Sequence, residues 1–167
     1  MHKMKYNQSI TVSREIEASQ DELWNFISSP EYLNYCHPFC KKNTIIKWEK
    51  DNHSDILVYL NGLTYIRKFV EWNEKDGYSL LIGEENKEQS KVVWKINSQE
   101  NKTYLKISVY PYFLKDYPKF ISFIPYKLFI KQKLTSYLKS VLDGINFYMV
   151  NKIPVQRNMT GRHTWFS

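Results

Sequence analysis

The sequence has no apolar run near the roughly 20 residues that a membrane-spanning helix needs, which argues against an integral membrane protein. Its first nine residues, MHKMKYNQS, lack the apolar stretch of a secretory signal, so we expect a cytoplasmic protein. Linkers, repeats and low-complexity segments are missing as well, and 167 residues is the size of one domain. The hydrophobic content of 43% excludes a disordered chain.

Cysteine is scarce, with only two residues in the chain. Cys36 and Cys40 flank His37, and three soft ligands so close together suggest zinc. A structural zinc site needs a fourth ligand, however, and the remaining histidines have no metal-ligand spacing. The sequence also lacks a glycine-rich phosphate loop, an HExxH motif and a Ser-His-Asp arrangement. We therefore expect two reduced thiols, no metal and no cofactor.

Basic residues outnumber acidic ones by 24 to 17, which gives a formal net charge of +7. Much of the excess lies between residues 111 and 140 and in residues 153–167. Only four of the basic residues are arginine, and no nucleic-acid-binding motif occurs, so we do not expect a nucleic-acid partner.

The first part of the chain predicts a strand followed by two short helices. Apolar residues alternate with polar ones over residues 8–18, which is typical of a half-buried strand. Ser19 and Glu22 fit a capping box at the start of a helix. This helix is predicted to end at Ser28-Ser29-Pro30. Pro30 can open a second short helix through residues 31–33.

Residues 44–111 have the two-residue period of strands and predict an antiparallel meander of six. Asn61-Gly62 is a strong hairpin signal between the second and third of these. The six predicted strands cover residues 45–49, 55–60, 63–72, 78–83, 91–96 and 103–110.

A long amphipathic helix is predicted from Pro125 to about Asn151, with apolar residues at steps of three and four on one face. The order of elements indicates an α+β protein in which this helix covers a strongly curved antiparallel sheet of about seven strands. We assign residues 1–152 to this domain and expect residues 153–167, the tail, to pack on it.

The segments Ile10-Thr-Val-Ser-Arg-Glu-Ile-Glu-Ala18, Asp21-Glu-Leu-Trp24 and Ser28-Ser-Pro30 resemble the opening of START-like helix-grip proteins. The likeness is strongest to the polyketide cyclase/dehydrase and lipid-transport group, also called SRPBCC, and the order of elements matches over residues 8–151. The ending Gly161-Arg-His-Thr-Trp-Phe-Ser167 resembles the closing segment of a bacterial branch of that superfamily. The resemblance implies a cavity between sheet and C-terminal helix that takes lipids, sterols, polyketides or other apolar small molecules.

Several residues are candidates for such a cavity. Arg14 and Arg67 occur on the apolar side of their strands and could anchor a polar group of a ligand, or could instead pair with carboxylates. Strand tyrosines could supply apolar walls with orienting hydroxyl groups, and leucines of the long helix could form the opposite wall. The candidate ligand-binding residues are Arg14, Tyr59, Tyr65, Arg67, Tyr104, Tyr110, Leu138 and Leu142.

Residues 111–129 are both aromatic and basic, and three interpretations stay open. The segment could form a lid that contacts an anionic membrane surface while a ligand enters. It could also pack on the long helix and close the core, or form a dimer contact, so the protein is expected to be a monomer or homodimer.

We expect the protein to bind or transport a hydrophobic small molecule or lipid without covalent chemistry. The alternative is an enzyme of the cyclase or dehydratase kind that acts on an apolar or aromatic, polyketide-like substrate. In that case His37 and Arg14 are the catalytic candidates, because a histidine pKa lies near neutrality and an arginine can orient a polar group. His163 is a further candidate by residue type.

Overall fold

A computed structural model describes residues 8–114 and 125–167 of the protein. Seven strands, three α-helices and one short 3-10 helix follow one another in these residues. In chain order they are β1 (Ile10–Ile16), α1 (Gln20–Ile27), α2 (Leu33–Cys36), β2 (Cys40–Glu49), β3 (Asn52–Tyr59), β4 (Thr64–Asn73), β5 (Gly77–Gly83), β6 (Ser90–Gln99), β7 (Lys102–Tyr110), the 3-10 helix Tyr112–Leu114 and α3 (Pro125–Asn151).

The seven strands form one antiparallel sheet in the order β1-β7-β6-β5-β4-β3-β2. Irregularities between Cys40 and Lys42, Ile45 and Lys47, and Phe69 and Glu71 shift the register of β2 and β4, and such bulges bend a strand. The inward residues of the sheet and the apolar residues of α3 share one hydrophobic core. The predicted α+β helix-grip architecture is therefore confirmed.

The capping box at the start of α1 is present as the sequence predicts. The Ser19 side chain accepts a hydrogen bond from the backbone N–H of Glu22, and the Glu22 carboxylate accepts one from the backbone N–H of Ser19. Helix α2 differs from the prediction, because it begins at Leu33 rather than at residue 31. Glu31 has a left-handed backbone conformation with φ of 59°, so residues 31–33 cannot form a helical turn.

Strand β2 is an edge of the sheet and is longer than the sequence predicts, since it begins at Cys40. Side chains before α2 and within it occupy part of this edge. The Asn34 carboxamide accepts from the backbone N–H of Asn43 at 2.7 Å and donates to its carbonyl at 2.8 Å. The Glu31 carboxylate accepts from the backbone N–H of Ile45 at 3.2 Å. Pairing of another strand along this part of the edge is therefore blocked.

Helix α3 approaches α2 so closely at Gly144 that no side chain fits there. A Cβ atom on Gly144 would lie 2.1 Å from the Cys36 carbonyl oxygen. The neighbouring apolar residues Val141, Leu142 and Ile145 are buried in the core. None of the helices in the described ranges is long and apolar enough to cross a membrane.

Candidate functional site

A pocket of about 190 Å³ lies between the inward face of the sheet and α3. Strands β3 to β7 contribute one side, α3 contributes the other, and the tail adds Trp165 and Phe166. Most of its surface comes from apolar side chains, which include Leu57, Leu80, Ile107, Leu134, Leu138 and Val141. The pocket is thus formed by the same two layers that make the core.

The rim of the pocket, which we define as Glu84, Lys87, Glu88 and Tyr112, carries exposed polar groups. Lys87 and Glu84 form an ion pair at 2.8 Å within the loop between β5 and β6. The roles predicted for residues 111–129 as a lid, membrane contact or packing segment fall largely on residues 115–124, which lie outside the described residues.

A buried ion pair borders the pocket through Arg67. Asp55 and Arg67 face each other across β3 and β4, and they are 0% and 2% exposed. Arg67 Nε donates to Asp55 Oδ1 at 2.7 Å and Arg67 Nη2 donates to Oδ2 at 2.5 Å. Burial of two charges is tolerated here because each is neutralised by the other in a two-bond geometry.

Two tyrosines extend this ion pair into a larger polar cluster. Arg67 Nη1 donates to the Tyr32 hydroxyl at 3.3 Å, and that hydroxyl is 2.6 Å from the hydroxyl of Tyr78. Burial raises the pKa of Tyr32 to about 12 and raises that of Tyr78 well above its usual value. Burial alone would lower the pKa of Arg67, but the Asp55 carboxylate outweighs it and raises that pKa. The cluster therefore holds one ion pair and two neutral hydroxyls.

A second group of hydrogen-bonded side chains, the His37 network, consists of His37, Tyr137 and Tyr59. His37 follows α2 directly, and its Nδ1 accepts from the backbone N–H of Phe39 at 3.2 Å. The imidazole Nε2 lies 2.8 Å from the Tyr137 hydroxyl, which in turn lies 3.1 Å from the Tyr59 hydroxyl. Since Nδ1 is an acceptor, the neutral ring carries its hydrogen on Nε2 and donates it to Tyr137.

The His37 network is uncharged at neutral pH. Burial, with a smaller effect from the Arg67 charge, lowers the pKa of His37 to about 3. Burial also raises the pKa of Tyr137 and raises that of Tyr59 well above its usual value. His37 therefore has no nitrogen lone pair available to a substrate, and the tyrosines keep their protons. The network supplies hydrogen-bond donors rather than a catalytic base.

The tail folds back and completes one side of the pocket. The Asn61 side chain donates to the Trp165 carbonyl at 2.8 Å. His163 repeats the arrangement of His37, because its Nδ1 accepts from the backbone N–H of Trp165 and its Nε2 lies 3.0 Å from the Lys133 carbonyl. Phe166 is 6% exposed and stacks on Tyr59 with ring centroids 4.4 Å apart.

Of the eight candidate ligand-binding residues and the catalytic candidate His37, five line the pocket and four do not. Those that line it are His37, Tyr59, Tyr65, Arg67 and Leu138. The four that do not are Arg14, Tyr104, Tyr110 and Leu142.

Arg14, predicted as a ligand anchor or as a partner of a carboxylate, lies outside the pocket and forms an ion pair. Arg14 is opposite the buried Leu105 in the β1–β7 register, so it lies on the inward side of the sheet. Because β1 is an edge strand, however, this side chain reaches Asp143 at the side of α3 and pairs with it. Both side chains are partly exposed, at 43% and 37%. The carboxylate pairing that the sequence left open is the one that the structure shows.

The other three residues are outside the pocket for simpler reasons. Tyr104 and Tyr110 alternate with the buried Leu105, Ile107 and Val109 of β7, which places them on the outward face of the sheet. Leu142 points inward, but it is fully buried in the core rather than at the pocket surface.

Sequence reasoning missed Asp55, Tyr137 and the pocket role of Phe166. Asp55 alternates with Leu57 and Tyr59, so the pattern of β3 already placed an acid on an inward position. Tyr137 is three residues after Leu134 and four before Val141, which puts it on the apolar face of α3. No comparable signal existed for Phe166, because the tail has no periodicity.

Cys36 and Cys40 do not form a metal site with His37. The Cys36 thiol is buried and lies 3.5 Å from the Tyr32 carbonyl, and burial raises the pKa of Cys40 to about 12. His37 uses both ring nitrogens in the bonds given above. Within the described ranges, no group of three or more His, Cys, Asp and Glu side chains could hold a metal ion.

No family model and no curated protein matches the chain, but solved structures do. DynU16, a protein in the dynemicin biosynthetic locus, aligns with a TM-score of 0.67 at 12% identity over 89% of this chain and 49% of its own. TTHA0849 from Thermus thermophilus aligns with a TM-score of 0.65 at 14% identity, over 87% of this chain and 99% of its own. CalU16 from Micromonospora echinospora aligns with a TM-score of 0.59 at 13% identity, over 91% of this chain and 79% of its own.

These likenesses support the fold and not a particular activity. The chain spans about half of the length of DynU16. Together with the sheet order and the position of α3, they confirm that the chain has the helix-grip fold that its opening residues resemble.

Proposed function

We propose that the protein binds a hydrophobic small molecule in the pocket between the sheet and α3. The observation that carries this proposal is a pocket of about 190 Å³ with a largely apolar surface and a few polar groups. Ligand sites of proteins typically have this composition. An apolar cavity of about 150 Å³ is enough for benzene, so a compact ring compound fits this volume better than a lipid with two acyl chains.

Binding is favoured over the cyclase or dehydratase alternative by the state of the polar groups. Acid–base catalysis needs a group with a pKa near the working pH within reach of the substrate. His37 is neutral with both nitrogens engaged, and the hydroxyls of Tyr59 and Tyr137 keep their protons. Groups of this kind orient a ligand by hydrogen bonds. The likeness to DynU16, a protein in the dynemicin biosynthetic locus, supports a small-molecule context.

Native mass spectrometry of the protein purified from cells tests the proposal. We expect extra mass that organic extraction removes, and we expect the extracted protein to bind the uncharged fluorescent probe N-phenyl-1-naphthylamine in a saturable way. A saturable site is distinguished from a loosened core by circular dichroism and by a cooperative thermal transition. Absence of both the extra mass and saturable probe binding in folded protein would contradict the proposal.

Two leucine-to-tryptophan variants locate the site. Leu138 lines the pocket, so Leu138→Trp fills it and should abolish binding. Leu128 is 67% exposed on the same helix, so Leu128→Trp makes the same chemical change outside the pocket and should leave binding unchanged. Equal binding by a folded Leu138→Trp protein and wild type would place the ligand elsewhere.

A further inference from the structure

The His37 network contains more hydrogen-bond donors than its internal bonds use. It has three hydrogens to donate, on His37 Nε2 and on the hydroxyls of Tyr137 and Tyr59. Only two contacts join these groups, at 2.8 Å and 3.1 Å. The direction of the first bond is fixed. Because the Phe39 N–H occupies His37 Nδ1, the imidazole must donate through Nε2 to Tyr137.

One tyrosine hydroxyl hydrogen is therefore left over in either arrangement. If Tyr137 donates to Tyr59, the hydrogen of Tyr59 remains, and if Tyr59 donates to Tyr137, that of Tyr137 remains. Neither hydroxyl has another acceptor among the residues that the structure describes. Both tyrosines line the pocket and both are buried or half-buried. Because a buried donor without an acceptor is costly, an acceptor inside the pocket would relieve this cost.

The charge inside the pocket indicates what kind of acceptor fits. Arg67 also lines the pocket, and three of its five hydrogens bond to Asp55 and Tyr32. The remaining hydrogens of Arg67 are also donors, so Arg67 and the His37 network both offer donors, not acceptors, to a ligand. The charge of Arg67 is already neutralised by Asp55, and His37 is neutral. A buried carboxylate would thus have no free counter-charge, whereas an uncharged oxygen needs none.

From this we infer that the ligand carries an uncharged hydrogen-bond acceptor, a carbonyl oxygen, and that this oxygen accepts the spare hydroxyl hydrogen of the Tyr59–Tyr137 pair. The inference rests on the proposed function and adds the chemical class of the ligand. It predicts that the pocket distinguishes a cyclic ketone from the hydrocarbon of the same shape.

The matched probes for this test are 1-tetralone and tetralin, which have the same two-ring frame and differ in one carbonyl group. Dissociation constants of both are measured by competition with the fluorescent probe, in wild-type protein and in the double variant Tyr59→Phe/Tyr137→Phe. Of the three donors of the His37 network, the variant leaves only the His37 Nε2–H, which lies one hydrogen bond farther back, 2.8 Å from the position of the lost Tyr137 oxygen. We expect tetralone to bind about tenfold more weakly to the variant and tetralin to bind equally well to both.

A second readout reports the hydrogen bond itself. The carbonyl stretching frequency of bound 1-tetralone, measured by infrared difference spectroscopy, should be lower than in an apolar solvent and should move back in the double variant. Tyr104→Phe is the matched control, because it removes the same hydroxyl group from the outward face of β7, outside the pocket. This control should leave both the affinity ratio and the frequency unchanged.

The outcomes separate the inference from the proposed function. If neither probe binds, the proposed function itself fails. If both bind but lose affinity equally in the double variant, or if the carbonyl frequency does not respond, the pocket binds ligands without the predicted hydrogen bond and the inference is wrong. Loss of the ketone preference in Tyr104→Phe would also overturn it. If 2-naphthoate binds more tightly than 1-tetralone, the acceptor is an anion and the uncharged class is refuted.

Discussion

Acidification should destabilise the protein through His37. Burial lowers the pKa of this residue from its ordinary value of 6.5 to about 3 in the folded state. The unfolded chain therefore takes up a proton near pH 6.5, whereas the folded protein does not until about pH 3. Because the folded-state pKa is the lower one, the stabilisation is fully present above pH 6.5 and is lost as the pH falls from 6.5 towards 3.

The size of this effect follows from the two pKa values. Protonation of the unfolded state at His37 should lower the free energy of unfolding by about 2 kcal/mol at pH 5 and by only about 0.2 kcal/mol at pH 7. A loss of this size is a large part of the stability of a typical domain. It should be measurable by urea denaturation at a series of pH values.

His37→Gln is the comparison that isolates this residue. Glutamine does not titrate, and its amide nitrogen can still donate to Tyr137. His53 and His163, whose pKa values burial also lowers, are present in both proteins, so their effects cancel in the difference. Wild type should lose about 2 kcal/mol more than the variant between pH 7 and pH 5. A stability difference that stays constant across this range would show that His37 does not remain neutral in the folded protein.

Three further predictions concern stability and are measured by thermal or urea unfolding. Gly144→Ala should destabilise the protein by about 1–3 kcal/mol, because the added Cβ would overlap the Cys36 carbonyl, although alanine normally favours a helix. The control Ser136→Ala, an exposed change on the same helix, should be neutral. Arg67→Met should cost about 3–5 kcal/mol by leaving Asp55 buried and unpaired, and adding Asp55→Leu should recover much of it; no recovery would mean that packing rather than charge is responsible. Phe166→Ala should cost about 3 kcal/mol and weaken probe binding, and a negligible cost would show that the tail is not part of the core.

The sequence predicted the fold well because local signals and the fold agree. The capping box of Ser19 and Glu22, the Asn61-Gly62 hairpin and the apolar face of α3 each occur where the pattern places them. The exceptions are local as well. Glu31 takes a left-handed backbone conformation, which is uncommon for glutamate. The first residues of β2 show no alternation of apolar and polar side chains.

The site was only partly predictable, because a pattern gives the face of an element but not its surroundings. Arg14 was placed on the inward side correctly, yet β1 is an edge strand, and there the side chain is partly exposed and pairs with Asp143 of α3. The role of His37 depends on Tyr137, which is 100 residues away in sequence. The contact of Phe166 with Tyr59 depends on the course of a tail without regular structure.

The buried ion pair also has a consequence for how the chain folds. Asp55 and Arg67 are only 12 residues apart and become neighbours as soon as the hairpin of β3 and β4 closes. Such a short loop closes at little entropic cost, long before β1 has to find β7 at the other end of the sheet. The two charges can thus neutralise each other while water is still present. What the later collapse has to dehydrate is then a neutral pair and not two separate charges, which costs less free energy.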